Sequence, residues 1–217
     1  MKMDTKIVLD QDKINSRKLY YIIKRTFDVL ASFIGLIILS PIFLVISIVI
    51  KVSDGGPIIY RQTRVGKNGK TFTMYKFRSM VVNADQMLQQ LQASNEIEGA
   101  MFKIKEDPRI TNVGSFLRKH SLDELPQLIN VLKGNMSLVG PRPPLPAEVA
   151  KYTDYDKQRL YVTPGCTGLW QCTERNNVGF RAMVALDLQY IDGANCWVDL
   201  KILLKTILII FKPNGSY

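Results

Sequence analysis

The chain has 217 residues and is 47% hydrophobic, which suits one compact domain with an additional membrane element. Its three cysteines, Cys166, Cys172 and Cys196, are odd in number and match no usual zinc spacing, so we interpret them as reduced packing residues. A net charge of +10 favours anionic partners, namely nucleic acid, a phospholipid surface or a phosphorylated substrate.

Val29–Ile50 is an unbroken run of uncharged, mostly apolar residues, and a bilayer core needs about 20 such residues as a helix. Ser40-Pro41 lies at its middle, where proline removes a backbone donor and clashes with the preceding turn, so we predict a break there. The basic residues that flank the run are Lys13, Arg17, Lys18, Lys24 and Arg25 before it and Lys51, Arg61, Arg64, Lys67 and Lys70 after it. Basic residues favour the cytoplasmic side, so we predict a re-entrant membrane helix hairpin over residues 24–51. A spanning helix that tolerates the proline is the alternative.

The rest of the chain predicts short elements around this segment. Residues 1–23 are predicted to form a polar, loosely ordered tail up to residue 15 and then the start of a helix, and residues 52–217 a cytoplasmic domain. Two strands, Pro57–Arg64 and Thr71–Phe77, flank Asn68-Gly69, which is a strong hairpin-turn signal. Helices are predicted over Asn83–Glu98, Ser121–Lys133, Glu148–Leu160, Phe180–Ile191 and Trp197–Phe211.

The predicted fold class is therefore α+β and mostly helical, with the re-entrant hairpin, a small β-hairpin and interfacial amphipathic helices. The last helix, Trp197–Phe211, is very apolar and carries lysines along its length. A position in the membrane interface and packing on the core both remain open for it.

An acidic pair, Asp123-Glu124, stands in a basic stretch of the chain. Ser121 and Glu124 have the spacing of a helix capping box, and a carboxylate in a first helical turn is favoured by the helix dipole, which would make both carboxylates structural. Arg118 and Arg142 favour a different interpretation, because exposed helix amides, arginines and a carboxylate suit a phosphate and a divalent metal. The residues alone leave both interpretations open.

Several short blocks occur in a fixed order along the chain. They are Lys24-Arg25-x-x-Asp28, Ser40-Pro41, Arg61-Gln62-x-Arg64-x-Gly66, Tyr75-Lys-Phe-Arg-Ser-Met80, Asp107-Pro-Arg-Ile-Thr111, Ser121-Leu-Asp-Glu-Leu-Pro-Gln127, Leu138-Val-Gly-Pro-Arg-Pro143, Pro164-Gly-x-Thr-Gly168, Gln171 and Asp199-Leu-Lys-Ile202. In this order they make the chain, from about Lys24 to Phe211, resemble the bacterial sugar transferases. These small monotopic phosphoglycosyl transferases start capsule, exopolysaccharide and O-antigen synthesis.

The resemblance implies an activity, a mechanism and a location. Asp123 matches the nucleophile of the family, which attacks the sugar-bearing phosphate of a UDP-sugar, releases UMP and forms a covalent aspartyl phosphosugar. Undecaprenyl phosphate would then accept the sugar phosphate, at the cytoplasmic face of the bacterial cell membrane. The resemblance also implies a Mg²⁺ ion that touches Asp123, and a role for Glu124 in metal support or acid/base help.

Five arginines are candidate substrate-binding residues. Arg118, Arg142 and Arg175 are expected to hold phosphates or to order the loops that do so. Arg78 is expected near the lipid phosphate, and Arg159 near the nucleotide. Each could instead be a surface or loop-bracing arginine.

Two other functions remain as alternatives: a catalytically silent membrane-anchored scaffold, and a module that binds an anionic ligand. Nucleic acid is not an expected partner, because the basic residues are dispersed and no recognised nucleic-acid motif occurs. His120 is the only histidine, so a histidine-based metal site or catalytic pair would depend on that residue alone. Further expected partners are membrane lipid, a second copy of the chain, and polysaccharide-assembly enzymes.

Overall fold

The computed structural model describes residues 7–84, 86–87, 107–173 and 179–211, and for residues 210 and 211 it describes the backbone alone. The helices are α1 Gln11–Ser16, α2 Lys18–Ile38, α3 Ser40–Asp54, α4 Asn112–Lys119, α5 Gln127–Leu132, α6 Pro146–Val149, α7 Asp154–Lys157, α8 Leu169–Thr173, α9 Phe180–Gly193 and α10 Cys196–Phe211. The strands are β1 Ile59–Val65, β2 Thr71–Phe77, β3 Ser137–Val139 and β4 Gly165–Thr167. The chain is thus mostly helical with small sheets, as predicted. The helix predicted over Asn83–Glu98 lies largely outside the described residues.

Helices α2 and α3 are separated by Leu39 and bent by 61°. Pro41 lies in the first turn of α3, where its missing N–H would have had no helical partner. The break predicted at Ser40-Pro41 is therefore confirmed. Among the described helices, none is individually long and apolar enough to span a membrane, whereas α2 and α3 together meet the length and composition required. Both helices expose large apolar side chains, including Phe33 (56% exposed) and Leu44 (63%).

Both ends of the bent α2–α3 pair contact the rest of the protein. At the start of α2, Arg17 donates to the backbone carbonyls of Ile191 and Asp192, where α9 ends. About two turns further, the Arg25 guanidinium donates to the last carbonyls of α5, at 2.5 and 2.9 Å. At the end of α3, Asp54 forms an ion pair with Arg78, which follows β2.

The hairpin of β1 and β2 is antiparallel, with Ile59 opposite Phe77 and Val65 opposite Thr71. Asn68 and Gly69 adopt the left-handed backbone conformation that such a turn requires, so the predicted hairpin is confirmed. The Asn130 side-chain amide fixes α5 to β2: its Oδ1 accepts from the Tyr75 amide at 2.9 Å, and its Nδ2 donates to the Thr73 carbonyl at 2.7 Å.

Two predicted helices are interrupted. Residues 121–133 form a short 3₁₀ turn, Leu122–Glu124, followed by α5, because Pro126 has no amide to continue the helical hydrogen bonds. Residues 148–160 form α6, α7 and a further 3₁₀ turn. Thr153 starts a new helix there with a capping box. The Thr153 amide donates to the Asp156 carboxylate, and the Asp156 amide donates to the Thr153 hydroxyl.

The N-terminal segment is not a loose tail over residues 7–15. The Leu9 amide donates to Gln158 Oε1 at 2.6 Å, and Ile14 of α1 is 2% exposed. The hydrophobic side chain of Ile14 packs into the main core, which explains why the segment is ordered despite its polar composition.

The main core is built around α9, one of the helices that the sequence predicted correctly. Met183, Val184, Leu188 and Ile191 are almost fully buried there. Helix α10 places Ile202 on this core, while its opposite side exposes large apolar residues: Trp197, Leu200, Leu204, Ile207 and Leu208. The predicted apolar C-terminal helix is thus confirmed, with one side on the core and the other uncovered by the described residues.

Candidate active site

Asp123 lies in the 3₁₀ turn between α4 and α5, and it is 7% exposed. Ser121 directly before the turn has a left-handed backbone, and its side chain makes no capping hydrogen bond. The capping box that would have made Asp123 and Glu124 purely structural is therefore absent, because Ser121 does not have the extended backbone of an N-cap. The turn instead buries the Asp123 carboxylate, with Glu124 as its neighbour in the chain.

The two carboxylates have opposite electrostatic environments. Burial raises the pKa of Asp123, and Glu124 adds to this, while Lys76 and Arg118 oppose it. Burial also works to raise the pKa of Glu124, but Lys76, together with Arg142 and Arg64, outweighs it and the pKa is lowered. Lys76 Nζ lies 2.5 Å from Glu124 Oε1. Pairs of carboxylates with divergent pKa values are typical of sites that need an acid and a base, or a nucleophile and a stabiliser.

Four cations surround this pair, and they come from different parts of the chain. Lys76 and Arg64 lie on the hairpin, Arg118 on α4, and Arg142 in the loop after β3. Lys76 and Arg118 act electrostatically on Asp123, and Arg142 and Arg64 act on Glu124. Burial and the nearby Arg142 lower the pKa of Arg64 to about 10. The cluster is suited to hold an anion with several charges, such as a diphosphate.

Sequence reasoning missed Lys76 and Arg64 as site residues, although both stand in blocks that carried the resemblance. The strand register is the signal that could have found them. Arg64 lies opposite Phe72, and Lys76 is four residues further along the same strand as Phe72, so Arg64 and Lys76 lie on the same face of the hairpin. That face points toward the acidic turn, which only the long-range packing of β2 against the turn reveals.

Arg118 is held in place by Ser79, which lies two residues after the end of β2. Its Nε donates to Ser79 Oγ at 2.9 Å, and the backbone of Gly114, one turn earlier on α4, packs directly on the Ser79 carbonyl. A Cβ atom at position 114 would lie 1.9 Å from that oxygen, so only glycine permits this contact. The close approach fixes α4, and with it Arg118, against the segment that directly follows the strand carrying Lys76.

The structure brings Asp123, Glu124, Arg118 and Arg142 together but gives other partners to two of the predicted arginines. Arg78 is buried, ion-paired with Asp54, and its Nε and Nη1 have no hydrogen-bond partner among the described residues. Arg159 is 2% exposed and ion-paired with Asp187. Arg175 lies outside the described residues.

The carboxylate oxygens around Asp123 fit a magnesium ion that takes its remaining ligands from the substrate. Within the described ranges, no group of three or more histidine, cysteine, aspartate or glutamate side chains is arranged to hold a metal. The ion pairs of the described residues include Glu124 but not Asp123, so none of these cations would compete with a metal ion for the Asp123 carboxylate. One or two carboxylates together with substrate phosphates are a common magnesium environment.

Residues 19–213 match the bacterial sugar transferase family. The chain is 50% identical over 200 residues to an undecaprenyl-phosphate galactose phosphotransferase of Salmonella typhimurium, with 90% of this chain and 42% of that protein covered. It is 49% identical to the galactosyl transferase CpsE of Streptococcus agalactiae, covering 91% of this chain and 44% of CpsE. It is 46% identical to the exopolysaccharide production protein ExoY of Sinorhizobium fredii, covering 89% of this chain and 88% of ExoY.

The chain therefore spans less than half the length of the first two relatives and most of the length of ExoY. The family match covers nearly the whole chain, including the bent helix pair and the acidic turn. This chain is a member of the bacterial sugar transferase family.

Proposed function

We propose that the protein transfers a sugar 1-phosphate from a UDP-sugar to undecaprenyl phosphate and releases UMP, as an initiating step of capsule or exopolysaccharide synthesis. A carboxylate oxygen of Asp123 attacks the sugar-bearing phosphorus, and the bond from that phosphorus to the UMP oxygen breaks. UMP leaves with the bonding electron pair. An oxygen of the lipid phosphate then attacks the same phosphorus and displaces the carboxylate, which gives a lipid diphosphate sugar and free Asp123.

The observation that carries this proposal is the buried Asp123, free of ion pairs with the described residues, beside a Glu124 whose negative charge is balanced by Lys76. A buried carboxylate is poorly solvated and is therefore a better nucleophile than one at the surface. Its attack on an anionic phosphate is opposed by charge repulsion, and the surrounding cations offset that repulsion.

Three of the four cations around the carboxylates have a proposed place in this reaction. Arg118 and Arg142 are proposed to hold the diphosphate, together with Arg175, and Lys76 keeps Glu124 ionised near the reacting phosphate. Magnesium held by Asp123, with Glu124 as support, would supply further neutralisation of the phosphate charge. Arg78 lies where α3 meets β2, and its unpaired N–H groups make it the candidate for the lipid phosphate.

We also propose that the bent α2–α3 pair is re-entrant, with both ends at the cytoplasmic face of the membrane. In support, Arg17 and Arg25 near the start of the pair and Asp54 at its end all bind the same folded body. A segment that crossed the bilayer would place its two ends about 30 Å apart, on opposite sides of the membrane. The re-entrant arrangement instead keeps the active site at the level of the lipid phosphate.

The test is UMP release from a panel of UDP-sugars by membranes that contain the protein, undecaprenyl phosphate and Mg²⁺. UDP-galactose is the first donor to try, because two of the relatives are named for galactose. We expect release with one donor and its loss in Asp123→Asn. Asp154→Asn is the matched control, since the Asp154 side chain is 97% exposed on α7. No release from any donor by folded, inserted protein would favour a scaffold or a binding module.

A further inference from the structure

The loop over residues 140–145 is held in place by groups that lie outside it. Three of its residues are proline, so the loop has few N–H groups with which to form internal hydrogen bonds. Its carbonyls are bound by other elements: Arg142 O accepts from Arg159 Nη2 at 3.3 Å, and Pro143 O accepts from Arg64 Nη1 at 2.9 Å. Pro144 O accepts from the Val65 amide at 2.9 Å. The backbone that carries Arg142 is therefore fixed by the hairpin on one side and by Arg159 on the other.

Arg159 is itself anchored on all sides. Its Nε and Nη2 lie 2.7 and 2.6 Å from Asp187 Oδ2, and its Nη1 donates to the Tyr152 hydroxyl at 2.7 Å. Asp187 belongs to α9 in the centre of the core and is fully buried. A planar guanidinium with a rigid fork can bind three partners at once, which a lysine ammonium on a flexible stem cannot do in the same geometry.

The side chain of Arg142, in contrast, reaches toward the active site. It is 30% exposed, and its Nη1 lies 3.7 Å from Glu148 Oε2. Its charge acts on Glu124 in the acidic turn. The same residue thus has a backbone held by Arg159 and a guanidinium whose charge acts on the acidic turn.

We propose that Arg159 is a positioning residue, which fixes the backbone of Arg142 and so directs the Arg142 guanidinium at the phosphates of the donor. This assignment rests on the proposed function and differs from a direct contact between Arg159 and the nucleotide. It links the core of the protein, through Asp187 and Arg159, to a group that binds the substrate.

Arg159→Lys tests the assignment, because lysine keeps the cation for Asp187 but loses the fork that also reaches the Arg142 carbonyl. Displacement of a phosphate-binding group by a fraction of an ångström is expected to lower kcat about tenfold. Tyr152→Phe is the matched control: it removes another hydrogen bond of the same buried guanidinium and leaves the contact with Arg142 O intact. We expect Tyr152→Phe to retain near wild-type turnover.

The decisive experiment is a double-mutant cycle of Arg142→Ala and Arg159→Lys, with kcat and KM measured for UMP release. If Arg159 acts through Arg142, then Arg159→Lys costs about tenfold in the wild-type background and little further once Arg142 is alanine. Asp187→Asn weakens the ion pair that holds Arg159. Its effect on kcat must likewise be large when Arg142 is present and small when Arg142 is alanine. Inhibition by UMP must be unchanged in Arg159→Lys.

Equal losses from Arg159→Lys in both backgrounds, or weaker inhibition by UMP, would overturn the assignment and favour a nucleotide contact. Full activity of Arg159→Lys would also overturn it. Absence of turnover in the wild type is a different result, because it would overturn the proposed function and this assignment with it.

Discussion

At the scale of single residues, the two carboxylates of the acidic turn, Asp123 and Glu124, differ in their neighbours and therefore in the direction in which their pKa values are shifted. Lys76 lies 2.5 Å from Glu124 and acts on both side chains, but it pairs with Glu124 alone. Burial dominates at Asp123, so its pKa lies above the usual range for aspartate. An aspartate that attacks phosphorus must be ionised, so we expect Lys76, the cation that lowers the pKa of Asp123 most, to extend activity further into the acidic range.

The first prediction concerns this pH dependence. The rate of UMP release should fall with decreasing pH as Asp123 becomes protonated, and the fall should begin at a higher pH than for an ordinary aspartate. Lys76→Met removes the main group that lowers the pKa of Asp123, so the acidic limb of the pH–rate profile should move to higher pH. Lys76→Arg keeps the charge and should leave the limb near its original position. A limb that stays in place or moves to lower pH in Lys76→Met would contradict this account.

At the scale of elements, the site depends on how closely α4 packs against the segment that follows β2. Gly114 on α4 touches the Ser79 carbonyl, and Ser79 in turn accepts the hydrogen bond from Arg118. Thr111 caps α4 by accepting from the Gly114 amide at 2.9 Å, so this glycine cannot move away without loss of the cap. The packing of α4 on the segment after β2 thus fixes the side chain of Arg118, which we propose to hold a phosphate.

The second prediction is that Gly114→Ala destabilises the protein and lowers its activity. The added methyl would overlap the Ser79 carbonyl, and overpacking of this kind costs about 1–3 kcal/mol in the free energy of unfolding. Gly193→Ala is the control, because a Cβ there has no neighbour within 4 Å. Thermal unfolding in detergent and UMP release should both be impaired for Gly114→Ala and neither for Gly193→Ala. Equal behaviour of the two variants would show that the close contact has no importance.

The third prediction concerns the bend between α2 and α3. Pro41→Leu restores a backbone donor, and a straighter pair would favour a full span that carries the N-terminal end across the membrane. Val8 is 79% exposed, so Val8→Cys can be labelled with a membrane-impermeant maleimide in intact cells. We expect no labelling when Pro41 is present and partial labelling in Pro41→Leu. The exposed Cys196 serves as the internal control and should remain unlabelled in both. Labelling of Val8→Cys with Pro41 in place would exclude the re-entrant arrangement.

Elements with a strong local signal could be predicted from the sequence. The hairpin turn at Asn68-Gly69 and the break at Ser40-Pro41 depend on backbone conformations that few residues adopt, so both follow from residue type. The turn at Ser121 could not be predicted, because a serine in the left-handed conformation runs against local preference and is held by tertiary packing.

At the scale of the whole molecule, the chain forms one body to which the bent helix pair is attached at both ends. The core around α9 fixes Arg159, the hairpin supplies Lys76 and Arg64, and α4 supplies Arg118, so the acidic turn is surrounded by groups from distant parts of the chain. The sequence blocks could identify some of the residues of this site, but not the residues with which they form ion pairs. The ion pairs of Arg78 with Asp54 and of Arg159 with Asp187 join residues 24 and 28 positions apart, which no local pattern indicates.

The measurement that tests the central claim most directly is the intact mass of the purified protein after incubation with its UDP-sugar and Mg²⁺ in the absence of any lipid acceptor. A covalent intermediate predicts one equivalent of UMP and a protein heavier by one phosphosugar, located on the peptide that carries Asp123. Addition of undecaprenyl phosphate should then restore the original mass. UMP release that requires the lipid acceptor, with no mass change in its absence, would contradict the account and indicate direct transfer between the two substrates.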